Sequence, residues 1–314
     1  MGGKRWMEQN RVWIRDVAPR DGFQIEPSRV STEVKVSVID LLSAAGVPAI
    51  EVTSFVHPRA VPQMADAEEV MARIQRRPGT EYHVLVPNLR GAERALAAQP
   101  DQLNLVVSAS ESHNRANIRR DTFETLDDYV RVARLAEKAG VRVAGGIATA
   151  FGCPFEGRIP LERLLAVVEA YVNIGVCSVS LADTTGMANP SQVRGVVQRV
   201  RERWPDLEIH LHFHNTRGMG LANVYAGYLE GITHFDASLG GIGGCPFAPG
   251  ATGNICTEDT VHMFAEMGVE TGIDLDALIA SARDMERALG HPLPGQVMKA
   301  GKALDLHPLP PDVT

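Results

Sequence analysis

The chain has 314 residues, 45% of them hydrophobic, and a formal net charge of −7, enough to bury a full core and too apolar for a disordered or fibrous chain. Lys and Arg are scattered rather than blocked, which excludes a surface built for nucleic-acid phosphates or an anionic membrane and leaves a small molecule as the expected partner. The four cysteines, Cys153, Cys177, Cys245 and Cys256, form no C-x-x-C pair and no structural zinc pattern, which suits a reducing compartment.

In chain order, the N-terminal "MGGKRWMEQN" has no apolar core segment, and no apolar run approaches the ~18–20 residues of a membrane span, so a cytoplasmic protein is expected. A first strand, "VWIRDVAP" from Val12, runs toward Arg20 and Asp21, which both reach one side only if the strand ends there, as Pro19 and Gly22 suggest. "STEVKVSVIDLLSAAG" then reads as a helix with a Ser/Thr start and a Gly stop. Further strands follow: "AIEVTSF" from Ala49, holding Glu51, "EYHVLVP" from Glu81, "LNLVVSAS" from Leu103 and "VRVAGGIATAF" from Val141. The series ends with "CSVSLADT" from Cys177, closing on Asp183, "EIHLHFHNT" from Glu208 and "HFDASLGG" from His234. "GIDLDALIASARDMERALG" is a C-terminal helix, and "HPLPGQVMKAGKALDLHPLPPDVT" is a Pro-rich extension that either covers a barrel mouth or trails as a tail.

Eight strand-helix units about 32 residues apart predict a closed (β/α)8 TIM barrel with a C-terminal helical extension. One domain over 1–314 is expected, the barrel over about 12–260 and the C-terminal helices and tail over about 261–314. No G-x-G-x-x-G or P-loop follows the first strand, which reads "APRDGFQ", so an open dinucleotide-binding sheet is disfavoured.

Chemistry on such a barrel gathers at the C-terminal ends of the strands. In "HFHN", His212 and His214 lie two apart in a strand and face one side, so they either share a metal ion or are core histidines bonded to neighbours. Asp21 adds a carboxylate and Asn254 a carbonyl oxygen, a mixed N/O set suited to Mg²⁺ or Mn²⁺. Arg20 reads as a guanidinium aimed at a developing oxyanion, or as half of a salt bridge to Asp21 or Glu51. Glu51 either orients that Arg or is a general base, and Asp183 is either a base or a cap for "TTGMANPSQ".

The segments "APRDGFQIEPSRVSTEVKVSVIDLLSAAGVPAIEVTSFVHPRAVPQMAD", "FGCPFEGRI", "LADTTG", "HLHFHNTRGMGLAN" and "SLGGIGGCPFAPGATGN" resemble 3-hydroxy-3-methylglutaryl-CoA lyase, in order from about Val12 to Gly272. This family belongs to the TIM-barrel metallolyases that include isopropylmalate and homocitrate synthases. The resemblance implies metal-dependent retro-Claisen cleavage of a 3-hydroxyacyl-CoA to acetyl-CoA and a keto acid; a homodimer is the assembly expected of such barrels. It places Asp21, His212, His214 and Asn254 on the metal ligands and Arg20 on the residue that stabilises the enolate. Cys245 falls on the loop thiol that protonates the carbanion, and Glu51 and Asp183 on active-site carboxylates. Three positions depart from the family pattern: Asn215 stands for an Asp, Arg217 for a Tyr, and Gly146 for a Tyr near the end of strand five. The added guanidinium suits an anionic acyl group and the lost ring a differently shaped one, so citramalyl-CoA is the alternative substrate. A synthase condensing acetyl-CoA with a 2-keto acid also favours His-x-His-Asn, but lacks the Gly-Cys-Pro loop.

Overall fold

Each β-branched run forms a strand: β1 (Trp13–Asp16), β2 (Ala49–Ser54), β3 (Glu81–Leu85), β4 (Gln102–Ser108), β5 (Arg142–Ala148), β6 (Ser178–Asp183), β7 (Glu208–Phe213) and β8 (His234–Ala237). They pair in chain order, all parallel, and β8 returns to β1 to close the barrel. The computed structural model describes residues 10–244 and 253–308. The helices are α1 (Thr32–Ala44), α2 (Ala67–Arg73), α3 (Leu89–Ala97), α4 (Glu111–Ile118), α5 (Thr122–Ala139), α6 (Leu161–Ile174), α7 (Pro190–Arg203), α8 (Gly220–Leu229), α9 (Thr257–Glu266), α10 (Leu275–Leu289) and the short α11 (Val297–Ala300). Ser31 caps α1 by accepting the Val34 amide at 3.3 Å, and Gly46, at φ +83°, turns the chain toward β2. Among the described residues no helix is long and apolar enough to cross a membrane.

The two-residue strand period sorts the side chains into two layers. Ile14, Val52, Val84, Leu105, Ile147, Leu181, Leu211 and Phe235 form the apolar layer beneath the helices. Residues of the opposite parity, Arg15, Glu51, His83, Gln102, Asn104, His212 and Asp236, are buried polar groups. A barrel interior is more often filled by branched aliphatic residues; here it is satisfied by internal bonds. Arg15 donates to both oxygens of Asp236 at 2.9 and 2.7 Å, Gln102 donates to Asn104 at 3.0 Å, and Asn104 donates to Glu51 at 2.7 Å.

Helix α9 completes the eighth unit, so the expected barrel limit near residue 260 falls inside it. Helix α10 packs beside α1 and α9. The first part of the Pro-rich extension covers the turn after β8: the Gly295 amide donates to the Gly240 carbonyl at 3.0 Å, and Leu293 is buried. Farther on, Leu304 and Leu306 are exposed.

Candidate active site

β1 stops at Asp16, and the chain makes one tight π-helical turn over Ala18–Gly22. Arg20 and Asp21 therefore sit beyond the strand rather than at its last positions. This turn is what brings two adjacent side chains to one mouth, since neighbours in a strand face opposite ways. The Val17 carbonyl accepts from the amides of Arg20, Asp21 and Gly22 at 3.2, 2.8 and 3.3 Å. Buried Asp16 braces the turn from below, accepting from the Ala18 amide at 2.8 Å and from the Thr257 hydroxyl at 2.6 Å.

His212 and His214 leave β7 on its inward face, with their Nε2 atoms 3.2 Å apart. His214 Nε2 lies 3.8 Å from Asp21 Oδ2, and one ligating atom from each of Asp21, His212 and His214 falls within 4.8 Å of the others. Asn254 closes the group: its Nδ2 donates to Asp21 Oδ2 at 2.8 Å and to the Ile242 carbonyl at 3.0 Å. Its Oδ1 is buried and has no hydrogen-bond partner among the described residues. An unpaired buried oxygen costs ~1–3 kcal/mol, and a cation beside Asp21 removes that cost. The residues therefore fit a divalent ion in both donor type and unmet demand. Backbone room here depends on Gly243, at φ +115°, where a Cβ would lie 2.4 Å from Asn254 Nδ2 and 3.3 Å from Asp21 Oδ2.

Arg20 is clamped between two carboxylates, its Nε donating to Glu51 Oε2 at 2.5 Å and its Nη1 to Asp21 Oδ1 at 2.7 Å. Burial opposes charge on Asp21, but the Arg20 guanidinium, followed by the two imidazoles, outweighs it and holds this carboxyl below its ordinary range. Glu51 has both oxygens engaged, one by Arg20 and one by Asn104, which is the arrangement of an orienting group. Asp183 ends β6, and its oxygens accept the Met187 and Ala188 amides at 2.8 and 3.1 Å, so it caps the following loop. Burial nevertheless pushes its carboxyl up to about 6 against those bonds and the nearby His212 and Arg217. Cys245 lies outside the described residues.

Two of the three departures have local structural work. Asn215 Oδ1 accepts the Gly220 amide at 3.0 Å, at the start of α8. Arg217 Nη1 donates to the Thr185 and Gly186 carbonyls at 2.9 and 3.0 Å, so this nitrogen ties the loops after β6 and β7 together. Gly146 faces the barrel interior, where an added Cβ would come within 3.0 Å of Val106 Cγ2.

Sequence reasoning missed the layer beneath the site. Asp236 Oδ2 lies 3.2 Å from His212 Nδ1 while Arg15 engages both Asp236 oxygens. Burial opposes charge on Asp236, yet Arg15 and His212 overcome it and hold the carboxyl far below its ordinary range. The available signal was a charged residue at the inward parity of "VWIRD" and "HFDAS".

The HMGL-like family model matches residues 11–285. An (R)-citramalyl-CoA lyase of Chloroflexus aurantiacus is 47% identical, covering 92% of this chain and 95% of its own, and a hydroxymethylglutaryl-CoA lyase of Bacillus subtilis is 43% identical, covering 93% and 98%. Among solved structures, an HMG-CoA lyase from Acinetobacter baumannii in complex with coenzyme A and 3-methylmalate superposes with a TM-score of 0.93 at 48% identity, covering 96% of this chain and 99% of that one. The Bacillus subtilis HMG-CoA lyase structure gives 0.90 at 43%, covering 93% and 98%. With the family matched over nearly the whole barrel, the chain belongs to the HMGL-like family of divalent-metal-dependent proteins and is a carbon–carbon lyase.

Proposed function

We propose that the chain cleaves 3-hydroxy-3-methylglutaryl-CoA into acetyl-CoA and acetoacetate, with Mg²⁺ or Mn²⁺ held by Asp21, His212, His214 and Asn254. The observation that carries this reading is the buried, unpartnered Asn254 oxygen beside the Asp21–His212–His214 donor set, with Arg20 fixed on the neighbouring turn. Bound there, the cation supplies a Lewis acid for the substrate oxygens.

Asp183, with its carboxyl raised to about 6, accepts the proton of the substrate's 3-hydroxyl. The C2–C3 bond then breaks, C3 becomes a ketone, and the bonding pair passes into the thioester as an enolate. Arg20, oriented by Glu51 and Asp21, donates to that enolate oxygen. A proton delivered to C2, in this reading by the Cys245 thiol, releases acetyl-CoA. A cytoplasmic homodimer is the assembly in keeping with this class of barrel and with Cys153, Cys177 and Cys256 as free thiols.

A second substrate, citramalyl-CoA, is favoured by Gly146, which leaves that one inward position of β5 without a side chain, and by the Chloroflexus aurantiacus relative named for that activity. The same bond changes would give acetyl-CoA and pyruvate. Acetyl-CoA release from the two thioesters with Mg²⁺ present separates the readings. The expected kcat/KM is higher for 3-hydroxy-3-methylglutaryl-CoA. A tenfold preference for citramalyl-CoA would transfer the assignment, and release from neither would reject both.

A further inference from the structure

The other end of the barrel holds a second group of metal-ligating side chains that the reaction does not use. A cavity of about 480 Å³ opens at the N-terminal ends of the strands, lined by Trp13, Arg15, His83 and Arg142 together with Glu208, His210 and His234. Glu208 and His210 are two apart on β7 and share its inward face, and His234 on β8 is the Cα partner of His210. One ligating atom from each of Glu208, His210 and His234 falls within 4.8 Å of the others. Glu208 Oε1 already lies 2.9 Å from His210 Nε2. The two imidazoles are held side by side by stacking: Trp13 covers His234 at 5.1 Å and 8° between planes, and His234 covers His210 at 4.7 Å and 18°.

We propose that Glu208, His210 and His234 form a second cation site at the barrel base, for a borderline transition-metal ion such as Zn²⁺. Two imidazoles and one carboxylate are the open three-ligand set that zinc takes with water in a fourth position. The cavity provides that position. The set lacks the run of oxygen ligands that Mg²⁺ and Ca²⁺ require, so Mg²⁺, which suits the mouth, does not compete well for the base. The three donors must draw together on binding. Glu208 permits this, because its side chain is 51% exposed and free to change rotamer. An ion so placed ties β7 to β8 directly below His212 and Asp236.

Cobalt is the probe, because Co²⁺ takes zinc ligand sets and absorbs in the visible. Full-length protein is stripped with chelator, re-equilibrated with millimolar Mg²⁺ and titrated with Co²⁺, following the absorption and the stoichiometry. The expected result is a Co²⁺ equivalent that persists in His214→Gln, whose mouth site has lost a donor. That equivalent weakens at least tenfold when Glu208→Gln or His234→Gln is added. Glu208→Gln changes a half-exposed side chain and serves where His234→Gln disturbs the fold, with circular dichroism as the check. No equivalent in His214→Gln, or one that Glu208→Gln and His234→Gln leave unchanged, as surface histidines would give, overturns the proposal.

Discussion

His212 turns one ring nitrogen toward His214 and the other toward Asp236. An ionised Asp236 accepts Nδ1–H and so leaves Nε2 as the lone-pair nitrogen that faces the cluster, which is how an outer carboxylate fixes both tautomer and ring angle. Asp236→Asn keeps the shape but removes the charge that selects the tautomer. The expected outcome is divalent-ion affinity ~10–100-fold weaker by calorimetric titration, with the circular dichroism spectrum unchanged; wild-type affinity would reduce Asp236 to a structural partner of Arg15. Asp183 makes a separate claim. A base must be deprotonated to act, and its carboxyl titrates at about 6, so kcat/KM should fall about tenfold per pH unit below that value and level off above it. In Asp183→Asn the residual activity should lose this acidic limb. An unchanged limb would leave Asp183 with only its capping bonds to Met187 and Ala188.

At the scale of elements, the site depends on how the turn after β1 is held. Asp16 bonds the turn at Ala18 and α9 at Thr257, joining the first and last units of the barrel beneath Arg20 and Asp21. Asp16→Ala removes both bonds from a buried position and should cost ~2–3 kcal/mol in urea unfolding. Burial, acting against those bonds, raises the Asp16 carboxyl to about 7. A group raised in the folded state contributes most below its unfolded value and loses that contribution as pH rises through its folded one. The gap in stability between wild type and Asp16→Ala should therefore narrow from about pH 4 to above pH 7. A gap that widens over that range would contradict the buried carboxyl. The same element level explains Arg217. As a guanidinium in a sequence it suggests a ligand for an anionic acyl group, but two of its bonds go to backbone carbonyls of the loop after β6, which spacing does not reveal.

For the molecule as a whole, the barrel was legible because its signals are local: a short strand run followed by a helical stripe, eight times over, with glycine stops such as Gly46, Gly140 and Gly175 closing some of the helices. The clustering of Asp21, His212, His214 and Asn254 was legible for a similar reason. His212 and His214 share a strand face by parity, and Asp21 and Asn254 belong to motifs carried by a recognisable family pattern. The second layer was hidden because it depends on register between strands distant in sequence, as with Arg15 and Asp236, 221 residues apart. Strand parity marks each of the two as inward, but no local pattern pairs one with the other. The polar interior it creates runs from the candidate site at the mouth to the base, so the core serves positioning as well as packing.

On the proposed mechanism, carbon–carbon cleavage runs through the cluster of Asp21, His212, His214 and Asn254. Acetyl-CoA release from 3-hydroxy-3-methylglutaryl-CoA or citramalyl-CoA, by chelator-stripped protein and by the same protein after Mg²⁺ or Mn²⁺ is returned, tests it directly. Near-complete loss on stripping and recovery on return of the ion are expected, with recovery absent in His214→Gln. Stripped protein that turns over as fast as the restored enzyme would contradict it.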